Sequence, residues 1–143
     1  MTYEEWEGSV PERLRADPLW SLRVYRTALY AGELGHADAT RLARHGEYDH
    51  VAAQLARATS SISANIAEGY SRLGPRDRGR YYEFALGSAR EARDWYFKAR
   101  GALGVDVAEG RIDLHTTLVR ILTVLARQNR PSMPATTGGP SAN

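Results

Sequence analysis

The sequence predicts an all-α protein, an antiparallel up-down-up-down four-helix bundle, and three observations carry that expectation. Apolar residues recur in steps of three and four along four long stretches. Short segments holding Gly, Pro or a helix-start signal separate those stretches. No run alternates apolar and polar residues for long enough to make a strand. The length of 143 residues suits one domain whose core needs neither metal nor disulfide.

The elements follow in chain order. Residues 1–17, with Gly8 and Pro11, read as an acidic, loosely ordered lead-in, and residues 18–130 as the bundle. A first helix over about 19–44 has the row Val24, Ala28, Ala31, Gly35, Ala39 and Leu42. Gly32 and Gly35 each cost a helix about 1 kcal/mol relative to Ala, so a close backbone or a bend is expected there. A second helix over about 48–72 carries Val51, Leu55, Ala58, Ile62 and Ile66, and Leu73-Gly74-Pro75 ends it. The third, about 76–103, carries Tyr81, Ala85, Ser88, Ala92, Trp95 and Ala99, with Gly104 as its C-terminal cap. Asp106 and Glu109 resemble a capping box opening a last helix with Leu114, Leu118, Ile121 and Leu125. Residues 131–143 have nothing to bury and are expected to be disordered.

Composition excludes several classes. With no cysteine there is no disulfide framework, thiolate metal site or cysteine nucleophile. The acidic start does not resemble a secretory signal, and no apolar run is long enough to span a membrane, so a cytoplasmic protein without membrane contact is expected. Charge is uneven. Residues 1–17 hold five acids against two arginines, a net −3, whereas residues 18–130 hold seventeen bases against twelve acids, a net +5. Arg supplies eighteen of the nineteen basic residues, and Arg suits bidentate phosphate contacts.

Two segments are unusual for plain bundle helices. One is Ser60-Ser61-Ile62-Ser63-Ala64-Asn65-Ile66-Ala67-Glu68-Gly69-Tyr70, in which residues that compete for backbone hydrogen bonds sit mid-helix. The other runs from Arg80 to Glu91 and includes Phe84, Ala85, Gly87 and Ser88. Together they resemble the bacterial four-helix bundle family encoded within intervening sequences of 23S ribosomal RNA genes. Ser61, Ile62, Asn65, Ile66, Ala67, Glu68 and Gly69 match its first motif, and Phe84, Ala85, Gly87, Ser88 and Glu91 its second. The resemblance spans roughly residues 19–128, and Ser63 departs from it where the family has Pro. It implies a ring-like homo-oligomer, a pentamer. It also implies kinship with accessory proteins of diversity-generating retroelements, whose partners are RNA or DNA and a reverse transcriptase.

Four candidate sites emerge. Ser61, Asn65, Glu68, Ser88 and Glu91 form a polar seam, read as an inter-helix network or subunit contact rather than a ligand pocket. Arg72, Arg76, Arg78 and Arg80 give the segment 71–80 a net +3 and form the candidate nucleic-acid site, with Tyr81 and Tyr82 available to stack on bases. Glu33-x-x-His36 and Glu47-x-x-His50 have di-iron spacing but flank a single turn, so neither a metal nor another cofactor is expected. Arg44, His45 and His50 resemble the Arg-x4-6-His motif of HEPN-type ribonucleases, a less favoured enzymatic reading. The resulting expectation is a non-enzymatic, oligomeric RNA- or DNA-binding accessory protein. The alternative is a purely structural or protein-interaction bundle.

Overall fold

A computed structural model describes residues 1–130, and the described residues are helical with no strand. The expected tail, 131–143, lies outside the described residues. Six α-helices follow one another: α1 (Tyr3–Ser9), α2 (Glu12–Arg15), α3 (Arg23–Leu42), α4 (Asp49–Tyr70), α5 (Pro75–Leu103) and α6 (Val105–Gln128). Two 3-10 turns, Pro18–Ser21 and Gly46–Tyr48, precede α3 and α4.

The N-terminal segment differs from its expected loose order. Thr2 and Glu5 form a reciprocal capping box, with Glu5 N–H donating to Thr2 Oγ1 and Thr2 N–H donating to Glu5 Oε2. That box starts α1 and aims Trp6 inward, where it stacks on Trp20 at 6.1 Å and meets Tyr30 at 5.3 Å. Trp6, Val10 and Trp20 form a small core of their own. Aromatic burial supplies the order that the charge pattern obscured.

The four long helices pack mainly against their neighbours in sequence. Ser61 meets Ser88 while Arg57 meets Glu91, so α4 and α5 run antiparallel. Arg78 meets Asn129 while Arg93 meets Thr116, so α5 and α6 do the same. Small residues permit the close approach. A Cβ on Gly32 would lie 3.6 Å from the Thr59 carbonyl oxygen, and Gly35 abuts the Thr59 side chain.

All six residues of the α3 row are buried, as are Leu55, Ala58, Ile62 and Ile66 of α4. Ala85, Ala92 and Ala99 of the expected α5 row and Leu118 of the α6 row are buried, whereas the other members of both rows lie beside the buried stripe. The buried stripe of α5 is Tyr82, Ala85, Ala89, Ala92, Tyr96, Ala99 and Leu103, leaving Tyr81, Ser88 and Trp95 half-buried at its flank. In α6 the stripe is Ala108, His115, Leu118, Val119, Leu122 and Ala126, with Leu114, Ile121 and Leu125 beside it. Asp106 is not a cap: it lies in the first turn of α6, no side chain caps that helix, and Gly104 alone joins it to α5. Gly104 has φ +94, a conformation that only glycine adopts cheaply. Among the described residues, no helix is long and apolar enough to cross a membrane.

Candidate functional site

The polar seam divides into three parts. Ser61 donates to Ser88 Oγ at 2.7 Å, a direct hydrogen bond from α4 to α5. Glu91 accepts from Arg57 at 2.9 Å and from the Trp95 indole at 3.2 Å, extending the same contact towards the surface. Asn65 turns back on its own helix and donates to the Ser61 carbonyl. Glu68 is exposed and pairs with Arg72 one turn later, so it belongs to no buried network. A Cβ on Gly87 would meet nothing within 4 Å.

The arginine segment spans the turn 71–74 and the start of α5. Pro75 occupies the first turn of α5, so Arg76, Arg78 and Arg80 all lie on that helix. Arg78 is committed to the fold. Its Nε donates to Asn129 Oδ1 at 3.1 Å, and its Nη1 donates to the carbonyls of Arg72 and Leu73, tying the turn to the end of α6. Arg72 is partly neutralised by Glu68 and lies 4.8 Å from the Tyr81 ring centroid, donating to the Tyr81 hydroxyl of the same residue. Tyr82 is 4% exposed and packed in the core, so it cannot stack on a base. Arg76 makes no ion pair among the described residues, and Arg80 lies over the exposed Phe84 ring at 5.5 Å. Arg130 joins them from just beyond the end of α6, 3.8 Å from Glu83. Arg76, Arg80, Arg130, Asp77, Glu83 and Asn129 line an open groove of about 510 Å³.

A second polar cluster was missed by sequence reasoning. Asp38 on α3 is buried, and accepts from the Tyr96 hydroxyl at 3.0 Å and from Arg111 Nε at 2.6 Å. Three helices therefore converge on one carboxylate. Burial pushes the Tyr96 hydroxyl pKa far up, and the charge of Asp38 adds to the effect, so Tyr96 stays a donor. His115 lies beside it, with ring centroids 5.4 Å apart. Its Nδ1 is 2.7 Å from the Arg111 carbonyl, an acceptor, so the proton resides on Nδ1 and the buried Nε2 has no partner. A polar residue on an otherwise apolar stripe was the available signal: Asp38 neighbours Gly35, Ala39 and Leu42, and His115 neighbours Leu118.

The remaining candidates do not assemble. Arg44, His45 and His50 are exposed, and His50 meets Trp95 edge-on at 5.7 Å. Among the described residues, no three His, Cys, Asp or Glu side chains are grouped to hold a metal ion.

A sequence model described as 23S rRNA-intervening sequence protein matches residues 21–123. The chain belongs to that family. No curated protein and no solved structure gives a significant match to it. As a 23S rRNA-intervening sequence protein, it keeps both motif segments, Ser60–Tyr70 and Arg80–Glu91, inside the matched region and facing one another across α4 and α5. Helices α1 and α2 and the groove residue Arg130 lie outside that region.

Proposed function

We propose that this protein is a non-enzymatic, self-assembling helical bundle of the cytoplasm that contacts nucleic-acid phosphates through the groove at the start of α5. The observation that carries this reading is the gathering of Arg76, Arg80 and Arg130 at the N-terminal end of a 29-residue helix. The helix dipole adds positive potential at that end. The neighbouring Asp77 and Glu83 temper it, so contacts would be modest per chain and useful when repeated around an assembly. The antiparallel pairs α4–α5 and α5–α6 support an up-down-up-down arrangement, and the family resemblance supports a five-fold ring. Arg44, His45 and His50 are exposed, and the ribonuclease reading rests on their spacing alone.

The test is a fluorescence-anisotropy titration with single-stranded RNA and duplex DNA over a salt series. Arg76→Ser/Arg80→Ser should weaken binding to every sequence and lower the salt slope by about 1 per lost phosphate contact. Arg13→Ser/Arg15→Ser on α2 is the exposed control pair. Equal losses from both pairs would displace the site, and no binding at low salt would remove the nucleic-acid role. A protein-interaction reading then takes its place, favoured by Leu73 at 98% exposed and Phe84 at 47%. Sedimentation at micromolar concentration decides assembly, since a mass near 15.9 kDa would rule it out.

A further inference from the structure

We propose that the cleft between α1, α3 and α6 binds a small phosphomonoester carrying an aromatic ring, of which a nucleoside 5′-monophosphate is the simplest example. The cleft holds about 510 Å³, within the range of roughly 300–1,000 Å³ common for small-molecule sites. It shares no residue with the basic groove of α5.

Its rim is cationic. Arg23 and Arg26 stand one turn apart on α3, and Glu7 of α1 is the acid among the lining residues. Glu7 accepts from the Tyr3 hydroxyl at 3.1 Å, while Arg26 Nη1 stays 4.0 Å away, at the outer limit of an ion pair. Arg26 Nε is buried and has no acceptor. Arg26 nevertheless lines the cleft with its side chain 29% exposed, so its charge is open to an oxyanion there. Arg23 is exposed and makes no ion pair among the described residues. Burial and Glu7 raise the Tyr3 pKa while Arg26 and Arg23 oppose them, which places both guanidiniums within electrostatic reach of the same hydroxyl.

The rest of the lining suits a flat, partly apolar body. Leu114 and Ile121 of α6 make the floor, and Tyr30 makes a wall that its hydroxyl fixes by donating to the Met1 carbonyl at 3.0 Å. A phosphomonoester offers three oxygens to two guanidiniums, and its dianion outweighs the single rim carboxylate. Glu7 is placed to accept from a sugar hydroxyl. Tyr3 and Glu7 precede the family-matched region, so half of this rim belongs to the chain rather than to the shared bundle.

Isothermal titration with AMP, adenosine and inorganic phosphate tests the site on the full chain. AMP should bind once per chain, with adenosine and phosphate each at least tenfold weaker. Arg26→Gln should weaken AMP at least tenfold. Thr117→Trp should block the cleft while keeping every charge, and Arg23→Gln gives an exposed second variant should Arg26→Gln fail to fold. Absence of AMP binding at about 5 mM, where a ligand of 1 mM Kd would fill about four-fifths of the sites, overturns the proposal. So does wild-type affinity in folded Thr117→Trp. Phosphate binding as tightly as AMP would overturn the aromatic part and leave an anion site.

Discussion

Arg111 on α6 donates from Nε to Oδ2 of Asp38 on α3 across 2.6 Å, although 73 residues separate the two in sequence. Asp38 is 2% exposed, whereas the Arg111 side chain is 25% exposed, and this asymmetry sets the cost of losing either one. Arg111→Met leaves the buried carboxylate with the Tyr96 hydroxyl and the half-exposed Arg41 guanidinium 3.7 Å away, and should destabilise by about 3 kcal/mol. Asp38→Asn keeps an acceptor for Tyr96 and lets Arg111 turn towards water, so about 1–3 kcal/mol is expected. Urea denaturation gives both values, and the opposite ordering would contradict the buried-carboxylate account.

His115 makes stability depend on pH. Burial lowers its pKa to about 4 against an ordinary value near 6.5, so the folded protein holds it neutral while the unfolded chain binds a proton. Its contribution is intact above about pH 6.5 and is lost progressively as pH falls towards 4, by about 3 kcal/mol in all. The neighbouring cations Arg111 and Arg93 act in the same direction as burial. His115→Phe should flatten that part of the profile in melts between pH 7 and pH 4. An unchanged slope would mean that another group causes it.

The two helical glycines Gly35 and Gly87 should respond oppositely to alanine. A Cβ on Gly35 would come 2.6 Å from Thr59 Cβ, so Gly35→Ala should destabilise by about 1–3 kcal/mol despite its better helix propensity. Gly35→Ala/Thr59→Ala should recover part of the loss. Gly87 has open space around it, and Gly87→Ala should stabilise by about 0.5–1 kcal/mol. Thermal melts of the three variants suffice, and a stabilised Gly35→Ala would disprove the tight α3–α4 contact.

Trp6 anchors α1 with 4% of its surface exposed, between Trp20 and Tyr30. Trp6→Ala should cost about 3–5 kcal/mol in the N-terminal unit and release α1. Hydrogen exchange would then rise over Tyr3–Ser9 while α4 and α5 stay protected. Uniform loss of protection would show instead that α1 and the long helices unfold as one.

Legibility in the sequence followed residue spacing. The rows of α3 and α4 were readable because their apolar residues alternate cleanly with exposed ones. In α5 the aromatic pairs Tyr81-Tyr82 and Trp95-Tyr96 straddle the stripe marked by Ala85, Ala92 and Ala99, and spacing alone does not say which member of each pair is buried. The Ser61–Ser88 contact was legible as a pair of small polar residues on facing helices. The Asp38–Tyr96–Arg111 cluster was not, since its members lie on three helices and each has an ordinary surface identity when read alone. For the same reason Arg78 looked like a phosphate ligand, whereas it clamps the turn to Asn129.

Gly104 decides which chain completes the core. A residue with a side chain there resists φ +94 and favours continuing the helix, which would fuse Pro75–Gln128 into one rod about 80 Å long. The apolar stripes of α5 and α6 would then be too far apart to cover each other, and a second molecule would have to exchange segments to bury them. One backbone angle thus closes the α5–α6 hairpin within a single chain.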